Sequence, residues 1–403
     1  MEGIVFKKNR EVILHQMMDA SLLFVFSTPK EDVKYDVDRN YYYVSGNFEY
    51  ENIVVLYKNG QEIKEMIFIH RYDEIKAKWV GAPLSKDKVA EQSGFKDIYY
   101  LDEFDEIISN YILEISKLYV DLKDEKNSYS QEKLFANRMK EKYPALVIYN
   151  AENLFKKART IKSIEEIEEI KKAISITKIG IESILKNMKE SYEYQLESYF
   201  DQAIKYHGAT GYAFPTIAAS GKNACCLHYM ANDNIANNGD LILFDLGCSY
   251  HMYCSDISRT FPVSGKFSLR QKQLYQIVLN GQEYVMKHIK PGITTKELNQ
   301  ILVKFYAEEL KAIGLIQKDE EVKKYYYHGV SHHIGLECHD LCEYLPLLPN
   351  SIISCEPGLY IEEEGIGIRI EDDILVTEDG CINLSKDILK TVEEIEKFME
   401  EQK

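Results

Sequence analysis

The run Leu241-Ile-Leu-Phe-Asp245-Leu-Gly247-Cys-Ser-Tyr-His-Met-Tyr-Cys-Ser-Asp256-Ile-Ser-Arg259-Thr260 carries the pattern that decides the fold. Its apolar residues 241–244 read as a strand that Asp245 closes, and Gly247 marks a tight turn. Asp256 follows eleven residues after Asp245, on what reads as the returning strand of a hairpin. Two antiparallel strands joined this way can aim two carboxylates at one point. A single aspartate at a strand end is an ordinary turn residue, so the reading depends on what else in the chain joins the pair.

Three further segments do so. In His328-Gly-Val-Ser-His332-His333-Ile-Gly-Leu-Glu-Cys-His339-Asp340, four of the chain's ten histidines fall within twelve positions. Gly329 and Gly335 argue against a continuous helix, so this stretch reads as strand and turn. One histidine there would be structural, but a cluster this dense fits metal ligation or proton transfer. Ser354-Cys-Glu356-Pro-Gly-Leu-Tyr360 and Gly367-Ile-Arg369-Ile-Glu371-Asp-Asp373 each set a glutamate in or beside an apolar strand pattern. A charge in that position is costly unless it meets a cation or strong donors, or unless the strand is an exposed edge. Together Asp245, Asp256, His332, Glu356 and Glu371 supply four carboxylates and one imidazole. Four negative charges balance two divalent cations, and oxygen-rich ligation with one nitrogen suits Mn2+ while admitting Co2+, Fe2+ or Zn2+. Two such ions side by side point to a hydrolase.

The rest of the chain sets the frame. Its 403 residues favour two or three domains, and 45% hydrophobic with 12% aromatic residues exclude a largely disordered chain. With 49 Lys and Arg against 65 Asp and Glu, the net charge of −16 argues against a nucleic-acid partner. No apolar run approaches membrane-spanning length, and the first residues lack the apolar core of a signal peptide, so no membrane association and a cytoplasmic location are expected. The eight cysteines lie in the second half without C-x-x-C spacing and read as reduced thiols.

Runs 51–57 and 61–70 flank Asn59-Gly60 and predict a hairpin. Runs 21–27 and 41–45 read as strands, 101–122 as a helix, and the charged stretch 123–133 as a linker or surface crossing. Ser163 with Glu166 forms a capping-box pattern ahead of Ile164, Ile167, Ile170, Ile174, Ile181 and Ile184 at helical spacing, which opens a second domain. The same pattern at Ser268/Gln271 and Thr294/Glu297 predicts helices near 269–288 and 295–312. Strands are expected at 241–246, 352–356 and 367–376, and an amphipathic helix at the C-terminal end. The class is α/β with segregated elements (α+β).

The motifs D-x-G-x(5)-Y-x-S-D-x-S-R-T, HGVSH-x(6)-HD, CEPGLY and GIGIRIEDD, with their neighbours over residues 160–400, resemble the pita-bread metallopeptidases, most closely the Xaa-Pro aminopeptidase (aminopeptidase P) group. YDVDRNYYYVSGN and AKWVGAPL resemble the amino-terminal domain of that group, with Ala82 and Pro83 where basic residues are usual. The resemblance implies a mixed α/β domain at 1–158 and a catalytic pita-bread (creatinase/aminopeptidase) domain at 159–403. It implies that the five residues above hold two metal ions, with Asp256 and Glu371 bridging. His228, His328 and His339 then match active-site histidines, the last two holding the substrate carbonyl, and Glu356 doubles as proton carrier. Tyr360 and Arg369 match positions near the substrate, Arg369 equally as partner of a ligand carboxylate, while His333 has no role beyond a surface or pocket-lining side chain. Trp79, the only tryptophan, is either a packing residue or an aromatic contact to substrate in a neighbouring subunit. The activity implied is removal of the residue before proline from peptides with Pro in the second position, by a homodimer or dimer of dimers. A prolidase, a creatinase-like hydrolase and a catalytically silent binding module are the alternatives.

Overall fold

The computed structural model describes residues 3–29, 37–122, 130–343 and 346–402. The chain divides into two compact units, Met1–Ala158 and Arg159–Lys403. The first is built on a mixed six-stranded sheet, ordered Asp97–Tyr100, Glu62–Ile69, Ile53–Asn59, Ser21–Phe26, Lys117–Val120, Val147–Asn150. The expected hairpin forms with Asn59 opposite Glu62. Gly60 there takes φ 62°, a left-handed conformation that a Cβ would disfavour. On one face Leu22, Phe24, Val55 and Phe68 pack against Phe104 and Phe135.

Two expectations in this unit fail. Residues 41–45 lie in the helix Arg39–Ser45: Asp38 accepts from Tyr41 N at its start, and Gly46 closes it in the left-handed conformation. Capping and burial of all three tyrosines outweigh their β preference. The helix expected over 101–122 runs only Phe104–Ile112, and Lys117–Val120 becomes a strand parallel to Ser21–Phe26. No breaker residue marks that change, because sheet pairing and not local propensity decides it. The linker placed at 123–133 falls largely outside the described residues, and Gln131–Lys142 is a helix.

In the second unit the capping box forms as its spacing requires. Ser163 Oγ accepts from Glu166 N, and Glu166 Oε2 from Ser163 N. The helix Ile164–Lys186 then buries Ile167, Ile170, Ile174, Ile181 and Ile184, while Ile164 stays exposed. Helices Leu269–Met286 and Thr295–Ala312 start on the same device. Small antiparallel sheets lie between: Ile217–Ser220, Leu241–Leu246 and Ile257–Pro262 side by side, Ile352–Cys355 with Asp372–Val376 and Cys381–Asn383, and Gly358–Ile361 with Ile366–Arg369. The single strand expected at 367–376 is thus two, broken at Ile370-Glu371, where Glu371 N donates to Ser258 O of another strand. Residues 328–340 form no regular strand. They hold one bridge, His333 to Ile353, and the bonds Ser354 N to His332 O and Glu356 N to Val330 O. Among the described residues no helix is long and apolar enough to cross a membrane.

The hairpin that began the reading pairs Asp245 with Ser258 and Leu246 with Ile257. Its tip sets Tyr250 opposite Tyr253, with His251 and Met252 at φ 45° and 70°, the signs of a type I′ turn. Gly247 is required by close approach, since a Cβ there would stand 1.9 Å from Ser255 O. Gly247→Ala is therefore expected to destabilise the protein by about 3 kcal/mol in chemical denaturation. An unchanged midpoint would show that the strands can part there without consequence.

Candidate active site

Asp245 lies on the central strand Leu241–Leu246, Asp256 directly precedes Ile257–Pro262, Glu356 directly follows Ile352–Cys355, and Glu371 sits at the break between two strands. Antiparallel pairing brings these strand ends together, and the irregular segment after Val330 delivers His332 among them. His332 Nε2 is 3.4 Å from Asp256 Oδ2, 3.5 Å from Glu356 Oε1 and 3.9 Å from Glu371 Oε1. Asp245 joins through Ser258, whose Oγ is 2.7 Å from Glu371 Oε2 and 3.2 Å from Asp245 Oδ1.

Charge converges here faster than the protein neutralises it. Burial, reinforced by the other carboxylates, raises Glu356 to about 7 and Glu371 well above the usual range, and burial with Asp256 raises Asp245. Burial lowers His332, but Asp256 and Glu356 overcome it and lift the imidazole to about 9. One ligand atom from each of Asp256, His332 and Glu371 falls within 4.8 Å of the others. Four carboxylates, one imidazole and a deficit of positive charge fit divalent cations bound mainly through oxygen.

Two arginines organise the cluster. Arg369 donates to Asp245 Oδ2 (2.5 Å), Ser258 Oγ (2.8 Å) and Tyr360 OH (3.2 Å). Fully buried Arg259 pairs with Asp372 (2.7 Å) and donates to Glu371 O (2.5 Å) and Ser258 O (2.9 Å). It thereby ties the strand behind Asp256 to the break that carries Glu371. Tyr360 and Arg369 are 2% and 4% exposed and their polar atoms meet protein partners. Arg369 thus takes the second of the two places expected of it, as partner of a ligand carboxylate.

His328 Nδ1 is 2.7 Å from Gly329 O, which can only accept, so this nitrogen carries the proton and Nε2 accepts from Tyr360 OH at 2.9 Å. Burial and the Arg369 charge keep the ring neutral, down to about 4. The exposed His339 ring lies 4.2 Å from His332. His228 is exposed on a loop. That loop is held by buried Glu193, which accepts from Ser220 N and Oγ (both 2.7 Å), Tyr229 OH (2.9 Å) and Asn234 N (3.0 Å). Nothing in the sequence around Glu193 announces this. Arg259 and Asp372 were also missed, although a charge on each side of a candidate ligand strand is a usable signal. Cys338, whose Sγ is 2.8 Å from Asp256 Oδ2, was read only as one of eight reduced thiols.

His333 is buried, not at the surface. Trp79 lies in the first unit on the helix Glu74–Val80, which buries no residue, and is 84% exposed, so packing within the chain does not explain it.

Glu371 has a folded-state value above its unfolded one near 4.5. Ionisation of such an acid opposes folding, so its contribution to stability is full below the unfolded value and lost as pH rises through the folded one. In cation-free protein near neutral pH, Glu371→Gln should therefore melt higher than wild type. With excess divalent cation the order should reverse. A variant less stable in both conditions would mean that the carboxylates are not in mutual strain.

The sequence model of metallopeptidase family M24 matches residues 168–378, and that of the aminopeptidase P N-terminal domain matches residues 6–119. The chain is 30% identical to the Xaa-Pro aminopeptidase of Escherichia coli (strain K12), over 98% of this chain and 97% of that protein. A Bacillus anthracis chain provisionally named aminopeptidase P superposes with a TM-score of 0.96 at 45% identity, covering 100% of this chain and 99% of its own. Zinc-substituted Escherichia coli aminopeptidase P in complex with product gives 0.92 at 28% identity, with 100% and 99% covered.

Proposed function

We propose, from the premise that the chain belongs to metallopeptidase family M24, that it is a metallo-aminopeptidase releasing the N-terminal residue from peptides with proline in the second position. The observation that carries this reading is the convergence of Asp256, Glu356 and Glu371 on His332, with Asp245 joined through Ser258 and with His328 and His339 beside them. Full-length likeness to Xaa-Pro aminopeptidases favours it over a prolidase or a silent binding module.

In this reading 1–158 is the aminopeptidase P-like domain and 159–403 the catalytic one. Asp245, Asp256, His332, Glu356 and Glu371 hold two divalent ions, Mn2+ first with Co2+, Fe2+ or Zn2+ as alternatives. When bound, such ions polarise the scissile carbonyl and activate a water. Glu356 takes the proton from the attacking water and passes it to the proline nitrogen as the C–N bond breaks. His339, and His328 once its Nδ1–H turns from Gly329 O to the substrate, hold the carbonyl oxygen as the carbon becomes tetrahedral, and His228 faces the residues around the scissile bond. Arg369 fixes Asp245, and Gly329 O fixes the tautomer of His328, to whose Nε2 Tyr360 OH donates.

His328→Ala and His339→Ala should each lower kcat by roughly 10² while bound metal stays near wild type. His332→Ala should lose metal. Equal metal loss in all three would erase the distinction between ligands and substrate contacts.

The Xaa-Pro amide nitrogen has no N–H, so a site that accepts proline needs no acceptor for that donor and has room for the ring. Xaa-Pro-Xaa tripeptides should be cleaved at least ~10²-fold faster than Xaa-Ala-Xaa in kcat/KM. Comparable rates on the two would reject the assignment.

Exposed Tyr72, Ile75, Trp79 and Val80 give the first unit an apolar patch, which supports a homodimer or dimer of dimers in which Trp79 meets the substrate of a neighbouring subunit. Trp79→Ala should then weaken hydrolysis of longer peptides more than of dipeptides, with the melting temperature nearly unchanged. A fully active monomer by native mass measurement would end this part of the account.

A further inference from the structure

We infer that Cys338 supplies a sulfur ligand beside His332 in the metal centre, so that this end of the site takes a thiophilic cation of the zinc or cobalt class more readily than the five expected ligands alone would. The inference rests on the two-metal reading above. Cys338 Sγ lies 2.8 Å from Asp256 Oδ2, and His332 Nε2 lies 3.4 Å from that same oxygen. Sulfur and nitrogen donors therefore flank one ligand carboxylate. Cys338 Sγ and a ring nitrogen of His332 come within 4.8 Å of each other, the span of one coordination sphere, with the substrate-contacting His339 beside them.

The thiol is held in place and is not a passing contact of a loose loop. Gly335 N donates to Glu337 O and Asp340 N to His333 O, closing the turn on both sides. Asp340 is buried between Arg159 (2.5 Å) and Lys162 (3.0 Å), which pins the backbone two residues beyond Cys338. Cys338 is half-buried and His339 exposed, so an ion can reach the corner from solvent. On binding, the S–H proton leaves to water and a sulfur–metal bond replaces it, with no change of oxidation state. Thiolate and imidazole donors favour zinc and cobalt, whereas an all-oxygen set favours manganese.

The experiment uses the full chain loaded with Co2+, together with Cys338→Val and Cys338→Ser. Wild type should show a near-ultraviolet sulfur-to-cobalt charge-transfer band, and both variants should lack it. In equilibrium dialysis against equal Zn2+ and Mn2+, the bound zinc-to-manganese ratio should fall about 10-fold or more in Cys338→Val, while binding of manganese alone stays at two ions per chain. Wild-type protein holding two cobalt ions without the band, a band that survives both substitutions, or an unchanged ratio would overturn the inference and leave the two-metal reading standing. Wild type that binds no divalent cation at all would overturn that reading first. The wild-type spectrum decides even where a variant fails to fold.

Discussion

Four carboxylates, those of Asp245, Asp256, Glu356 and Glu371, share a volume mostly shielded from water, and one guanidinium, that of Arg369, is the only permanent cation touching their oxygens among the described residues. Much of the second unit's architecture follows from having to hold that arrangement against its own repulsion. Backbone and ion-pair anchors do the holding: Arg259 grips Asp372 and four carbonyls, while Glu371 N is tied to Ser258 O. The charge itself is left unbalanced by protein groups. Structures tolerate this where a cation completes the site, because removing one partner of a buried charge set is strongly destabilising.

The same constraint explains the irregularities near the centre. The strand that could have run from 366 to 376 breaks so that Glu371 turns to the neighbouring sheet, and residues 328–340 give up regular pairing to bring His332, Cys338 and His339 to one corner. Gly247 lets the hairpin backbones approach closer than any side chain would permit. Local regularity yields to the placement of polar atoms, which is the usual pattern at functional sites.

Much of this was legible in the sequence, for identifiable reasons. Asp245 and Asp256 stand out because an apolar strand ending in a carboxylate, a glycine and a return is a pattern with few solutions, and Glu356 and Glu371 because charge inside an apolar strand needs a partner. The helix starts at Ser163, Ser268 and Thr294 were readable because a capping box is local chemistry. Residues 41–45 were misread because the caps at Asp38 and Gly46 and burial of the tyrosines outweigh their β preference, and the end of the 101–122 helix because pairing with a distant strand, not local propensity, decides it. Glu193, Cys338 and the buried position of His333 stayed hidden for the same reason: each acquires its meaning from a residue far away in the chain.

The central claim is that two divalent cations supply the charge this fold lacks and that catalysis requires them. Chelated protein titrated with Mn2+, with bound ions per chain and Xaa-Pro-Xaa hydrolysis followed on the same samples, tests it most directly. The account predicts no turnover in metal-free protein and activity that rises to its maximum as occupancy reaches two ions per chain. Full turnover in protein verified to be free of metal would contradict it.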